Sequence, residues 1–264
     1  MNVTMEGSVL AVNDLRVTDS RGKALVRGVT LSVSEGETVG IVGESGSGKS
    51  VTLRAIMGIL PETLHIAGDV TVAVTAGPFR PASMVFQEPG LALNPTMRVG
   101  NFLSCTWRKH HPDRSAMEAK AAAITLMNDV GIVHPETRYR AWPHELSGGM
   151  KQRIVIASAL AGEPRLLLCD EATTALDVRV QAQILTLLSG LVRERGLAMV
   201  FVSHDLAVVA SVCERIIVMN EGEVLEEGLT SDVLGAPQHP YTRALLNANL
   251  SRRRTQTPTE DTGR

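Results

Sequence analysis

Thr38-Val39-Gly40-Ile41-Val42-Gly43-Glu44-Ser45-Gly46-Ser47-Gly48-Lys49-Ser50 is a short apolar run, then a glycine-rich loop, then the start of a helical pattern that extends to Leu60 and closes at Pro61. By its length and flanks the run is a buried strand, and the residues from Lys49 onward form the helix. From Gly43 to Ser50 the spacing matches G-x-x-x-x-G-K-[ST] in full. Glycines let such a loop curl until successive N–H groups converge on phosphate oxygens, at a helix N-terminus that favours anions. Lys49 supplies positive charge at the β- and γ-phosphates, and the Ser50 hydroxyl can ligate Mg²⁺. Gly43, Glu44, Ser45, Gly46, Ser47, Gly48, Lys49 and Ser50 are therefore expected to hold a nucleotide. A chance match in a chain of 264 residues has a probability on the order of 1%, and the flanking strand and helix lower it.

Further along, Leu166-Leu167-Leu168-Cys169 is a second buried-strand pattern, ending in Asp170-Glu171. An aspartate there can reach the shell of a phosphate-bound Mg²⁺. Glu171 is placed to polarise the attacking water at the γ-phosphate. Two acids at a strand end could simply meet solvent; the upstream loop reverses that preference. Between these motifs lies Leu146-Ser147-Gly148-Gly149-Met150-Lys151-Gln152-Arg153. Ser147 can bond phosphate, Gly148 and Gly149 permit close approach, and the following helix adds its positive end. Taken alone, this segment is as well explained by a helix start with Ser147 as N-cap.

In this order the three motifs resemble the nucleotide-binding domain of ATP-binding-cassette (ABC) proteins over nearly the whole chain. The resemblance implies an α/β fold, a RecA-like P-loop core with an antiparallel β subdomain and a helical subdomain. It implies ATP as substrate and Mg²⁺ as the metal, with Ser50, Gln87 and Asp170 as metal ligands. Phe86-Gln87-Glu88-Pro89 resembles the Q-loop, in which Gln87 touches Mg²⁺ or the lytic water and senses the membrane partner. Thr174-Ala175-Leu176-Asp177 resembles the D-loop, whose Asp177 helps couple two active sites. Val202-Ser203-His204-Asp205 resembles the H-loop, in which His204 bonds the γ-phosphate. Glu171, His204, Gln87 and Lys49 are then the catalytic set. Ser147, Gly148 and Gly149 would contact ATP held by an opposite subunit, so one active site needs two chains.

Other stretches resemble the peptide and nickel importer branch: Gly58-Ile59-Leu60-Pro61, Leu93-Asn94-Pro95, Pro143-His144-Glu145, Thr173 to Val178 and His239-Pro240-Tyr241-Thr242-Arg243. The last has no catalytic logic of its own and serves as a branch marker. The resemblance implies an importer's ATP-hydrolysing subunit that takes up peptides, nickel or a related small solute. Its partners would be two transmembrane permeases, a second ABC ATPase (the same chain or a different one) and, indirectly, a solute-binding protein. It would lie peripherally on the cytoplasmic face of the inner membrane. A soluble ABC ATPase acting on nucleic acid or ribosomes and an exporter's cassette are the alternatives. The first usually carries paired cassettes, zinc modules or a long coiled coil, none of which this sequence has.

Composition agrees. Hydrophobic residues make up 44%, enough for a sizeable core, and 26 Lys+Arg against 28 Asp+Glu give no electrostatic case for nucleic acid. No apolar stretch reaches the roughly 18 to 20 residues of a membrane span, and the N-terminus lacks a signal peptide's pattern. Cys105, Cys169 and Cys213 are scattered and expected to be reduced, mostly in the core. His110-His111 near Asp113 has no further ligand at suitable spacing and is expected to be a solvated loop.

Strands are expected at Val9–Val17, Val29–Val33, Ser83–Phe86, 165–169 and 198–202, with a hairpin from Arg215 to Glu226. Helices are expected at Ala116–Val130, 151–161, 178–194 and 206–212. Residues 1–250 would form the cassette, with the helical subdomain near 97–160, and 251–264 a polar, disordered tail. Some departures from the family stand out. Asp19 takes the place of an adenine-stacking aromatic, and Ala172 that of a proline. The segment from Gly68 to Pro81 is short, so its edge hairpin would be trimmed. The short chain is nearer to nickel-type ATPases. It also lacks the cysteine-bearing extension of some peptide-importer ATPases, so no iron–sulfur cluster is expected.

Overall fold

A computed structural model of the chain describes residues 7–73, 81–174 and 176–256. In chain order it runs β1 (Ser8–Thr18), β2 (Ala24–Ser34), β3 (Thr38–Val42), α1 (Lys49–Met57), β4 (His65–Val72), β5 (Ala82–Val85) and α2 (Pro89–Ala92). A helical stretch follows: α3 (Val99–His110), α4 (Ala116–Asp129), α5 (Pro135–Arg138) and α6 (Gly148–Leu160). The second half is β6 (Leu166–Asp170), α7 (Val178–Arg195), β7 (Ala198–Ser203), α8 (Leu206–Val212), β8 (Arg215–Asn220), β9 (Glu223–Leu229), α9 (Thr230–Gly235) and α10 (Pro240–Gln256).

Six strands form the central sheet in the order β5-β6-β7-β3-β8-β9, parallel except for β9, which returns antiparallel from β8. Alternate side chains of each strand point to opposite faces, and the two cores divide accordingly. Leu167, Cys169, Met199, Phe201 and Val218 face the side packed by α3, α4, α6, α7 and α8. Leu166, Leu168, Val200, Val202 and Met219 face the other side, with α1 and the antiparallel sheet β2-β1-β4. This explains why β3, β6 and β7 read as continuous apolar runs: every residue is buried.

Because the five parallel strands share one direction, their carboxyl ends lie on one edge, where open α/β sheets bind ligands. β3 there delivers Gly43, β5 delivers Phe86-Gln87, β6 delivers Asp170-Glu171 and β7 delivers Ser203-His204. The fold thereby gathers residues far apart in sequence.

The structure corrects several expectations. α1 stops at Met57, three residues short of Leu60, because Gly58 takes a left-handed conformation and its N–H closes on Ala55 and Arg54 carbonyls. β4 is an added strand, paired antiparallel with β1 from Leu10↔Val72 to Thr18↔His65. Residues 74–80, where the edge hairpin was expected to be trimmed, lie outside the described residues. His110 is the last residue of α3 and His111 its C-cap, stacked on Trp107 with ring centroids 4.1 Å apart, so the pair ends a helix instead of forming a solvated loop. Cys105 is exposed, whereas Cys169 and Cys213 are buried and burial pushes their thiols far up. α10 extends to Gln256, so residues 251–256 continue a helix; 257–264 lie outside the described residues.

Candidate nucleotide site

The phosphate loop is shaped by what cannot fit. Gly43 has φ 155°, and a Cβ there would lie 2.1 Å from the Met219 carbonyl oxygen. Gly48 caps α1 in the left-handed region, φ 98°, with no side chain bonding the helix's first N–H groups. Those donors remain open to an anion. Lys49 is buried at 4% exposure. Its Nζ donates to the Gly43 carbonyl at 2.8 Å, the Glu44 carbonyl at 2.7 Å and Ser47 Oγ at 3.2 Å. Burial lowers the Lys49 pKa, and Glu171, Asp170 and Glu44 pull it partly back. An incoming polyphosphate would relieve this desolvated cation.

At the second residue of α1, Ser50 Oγ donates to Asp170 Oδ1 at 2.6 Å. Asp170 is 2% exposed; burial raises its pKa, while Ser50, Arg54 and Lys49 counter. Arg54 Nη2 stands 3.6 Å from Asp170 Oδ2. A hydroxyl and a buried carboxylate at this separation are oxygen donors suited to a hard cation, so the residues present fit Mg²⁺. Gln87 lies across the site. Its Nε2 donates to Glu171 Oε2 at 3.1 Å, leaving its carbonyl oxygen as the atom to offer a metal.

Glu171 is the most constrained residue of the site. Its φ of 47° is left-handed, a conformation costing a non-glycine about 1 kcal/mol or more. Its N–H is bonded to the Val202 carbonyl at 3.1 Å, which ties the end of β6 to β7. Around the carboxylate, Gln87 Nε2 and Thr174 Oγ1 each donate to Oε2 at 3.1 Å, and His204 Nδ1 stands 3.6 Å from Oε1. Three side chains from three segments thus aim one carboxylate. Glu171 and His204 share a cavity of about 330 Å³ with Gly43, Glu44 and Ser45 of the loop.

Lys49, Ser50, Gln87, Asp170, Glu171 and His204 therefore meet. Ser147, Gly148 and Gly149 line no part of that cavity. Ser147 caps α6, accepting from the Met150 N–H at 3.3 Å, and a Cβ on Gly149 would meet Val180 at 2.6 Å. Asp177 caps α7 by accepting from the Val180 N–H at 2.9 Å, and its neighbour Ala175 lies outside the described residues. Sequence reasoning missed three contributors. Arg54 could have been found from its i+4 spacing to Ser50 on one helix face. Thr174 sits three residues after Glu171 in a tight turn. Tyr241, whose hydroxyl accepts the Glu44 N–H at 3.1 Å, gave no such local signal.

A phosphate loop, a buried aspartate and an aimed glutamate at the carboxyl ends of parallel strands define a P-loop nucleotide-binding cassette. Residues 26–174 match the family model described as ABC transporter, more than half of the chain, and the chain belongs to the ABC transporter family. It is 44% identical over 254 residues to the oligopeptide transport ATP-binding protein OppD of Salmonella typhimurium, covering 91% of this chain and 76% of that protein. It is 40% identical over 263 residues to the glutathione import ATP-binding protein GsiA of Escherichia coli, covering 92% of this chain. The chain spans 42% of the length of that glutathione-import relative. Among solved structures it resembles the ATP-binding cassette MJ0796, a dimer in a post-hydrolysis state bound to ADP and Pi. That match has TM-score 0.68 and 29% identity, and covers 84% of this chain and 98% of the other.

Proposed function

We propose that this chain is the ATP-hydrolysing subunit of an ABC importer for peptide-class solutes. The observation that carries the catalytic part is the Glu171 carboxylate, aimed by Gln87, Thr174 and His204 beside the loop that holds Lys49 and Ser50. The cargo class rests on the relatives' names, which speak for peptides over nickel.

In this account the loop N–H groups and Lys49 bind the phosphates of ATP. Ser50, Asp170 and Gln87 would hold Mg²⁺, which when bound would neutralise phosphate charge. Glu171 orients a water for in-line attack on the γ-phosphorus and takes up its proton as the new P–O bond forms; the bond to the β-phosphate oxygen breaks and ADP leaves. His204, which lines the same cavity as Glu171, would bond the γ-phosphate. Ser147 with the N-terminus of α6 would serve the site of a facing cassette, and Asp177 would help couple the two sites. Closure on ATP and reopening after hydrolysis would drive the permeases.

A second cavity, of about 350 Å³, includes Gln87 and Asp170 in its lining, with Arg54, Phe86, Glu88 and Leu91. Leu91 is 83% exposed there, an apolar foothold for a permease helix that would press on Gln87 and Asp170. No helix among the described residues is long and apolar enough to cross a membrane. Its kinship with transport ATP-binding subunits supports a peripheral place on the cytoplasmic face. The test is to purify Glu171→Gln with ATP from detergent-solubilised membranes and identify what accompanies it. Two polytopic permeases and a second ATPase are expected; only soluble partners, such as ribosomal proteins, would reject the transport account.

A further inference from the structure

The segment after α9 is built as a bracket. The Glu226 carboxylate on β9 accepts the Gln238 N–H at 2.8 Å and the His239 N–H at 3.0 Å. His239 Nδ1 then accepts the Tyr241 N–H at 3.1 Å in the first turn of α10. With the start of the helix fixed, the Tyr241 ring packs partly buried against the main core, and its hydroxyl accepts the Glu44 N–H. The same peptide unit carries the Gly43 carbonyl, which accepts Lys49 Nζ at 2.8 Å. One planar group is therefore gripped at both ends: its oxygen by the lysine and its N–H by the tyrosine.

The grip matters because the residue on one side is Gly43. Contact with the Met219 carbonyl forbids a side chain there, and a glycine gives the adjoining peptide little torsional restraint. Without an acceptor for the Glu44 N–H, the peptide could turn, swinging the Gly43 carbonyl away from the ammonium it orients. We infer that Tyr241 is a positioning residue for the phosphate loop, acting through the Gly43–Glu44 peptide on Lys49. Leu245, Ala248 and Asn249 of the same helix share the 330 Å³ cavity with Glu44, Glu171 and His204, so α10 forms a wall of the site as well as a tether. The inference rests on this site being the one that binds ATP.

Tyr241→Phe removes the acceptor and keeps the ring that packs α10. In the purified full chain, calorimetry with Mg-ATP should give a Kd about threefold to tenfold weaker than wild type, the worth of one neutral hydrogen bond. Hydrogen exchange gives a second readout. The Glu44 amide should be protected in the nucleotide-free wild type and lose protection in Tyr241→Phe. Wild-type affinity in a folded Tyr241→Phe, or an unprotected Glu44 amide in the nucleotide-free wild type, would overturn the inference alone. Failure of the wild type to bind Mg-ATP would overturn the nucleotide site, and the inference with it.

Discussion

Asp19 spends its carboxylate on its own turn: Oδ1 accepts the N–H groups of Arg21 and Lys23, both at 2.9 Å. By resemblance an aromatic would stack on adenine here. A carboxylate committed to the β1–β2 turn offers no such face. Losing one stacking platform is worth ~1 kcal/mol and relaxes base preference. Competition binding should therefore give Kd values for ATP and GTP within about fivefold of one another. Discrimination of about a hundredfold would mean that another residue reads the base. At this scale the legible residues were those whose chemistry requires a fixed type at a fixed spacing, such as Lys49, Ser50 and the Asp170-Glu171 pair. Tyr241 was legible only as part of a branch marker; its role was hidden because its contact spans 197 residues and joins a hydroxyl to a backbone N–H, which imposes no side chain on the partner position.

Among the elements, buried strands announced themselves and the exposed edge strand β4 did not. β3, β6 and β7 are apolar throughout, whereas β4 is exposed along most of its length, so its hydrogen bonds to β1 leave no periodic trace in the sequence. Edges are held by other means. Arg215 on β8 bonds Glu37 Oε1 at 2.7 Å and the Ser32 carbonyl at 2.5 Å, and also pairs with Glu227 on β9. The antiparallel sheet, the turn into β3 and the last hairpin meet at this guanidinium. Burial pushes Glu37 up, but Arg215 and Ser34 outweigh it and hold the carboxyl below its usual range. A depressed carboxylate stabilises the fold above its unfolded pKa, about 4.3, and that contribution is lost as pH falls through the lower folded value. Arg215→Ala should cost about 2–3 kcal/mol at pH 7, less than a fully buried pair because both partners are partly solvated. Urea midpoints should converge between wild type and variant as pH drops from 7 towards about 3.5. A gap that stays constant with pH would contradict the pairing.

Across the whole molecule, the division into a P-loop core, an antiparallel sheet and a helical region was legible because motif order and the changing period of the apolar pattern both follow chain order. How the parts face one another was not legible, since it depends on packing across the two sides of one sheet. The arrangement leaves the Glu171 carboxylate, the proposed metal ligands and the phosphate loop on one edge. The signature residues Ser147, Gly148 and Gly149 stand outside the cavity they would serve. On the proposed reading, the chain completes its site against a second cassette. The most direct measurement is Glu171→Gln with Mg-ATP, followed by light scattering and by product analysis of the bound nucleotide, alone and with the second ATPase. The account predicts ATP bound but uncleaved, turnover lowered by about a hundredfold or more, and a persistent pair of cassettes. Rapid turnover by that variant would contradict it.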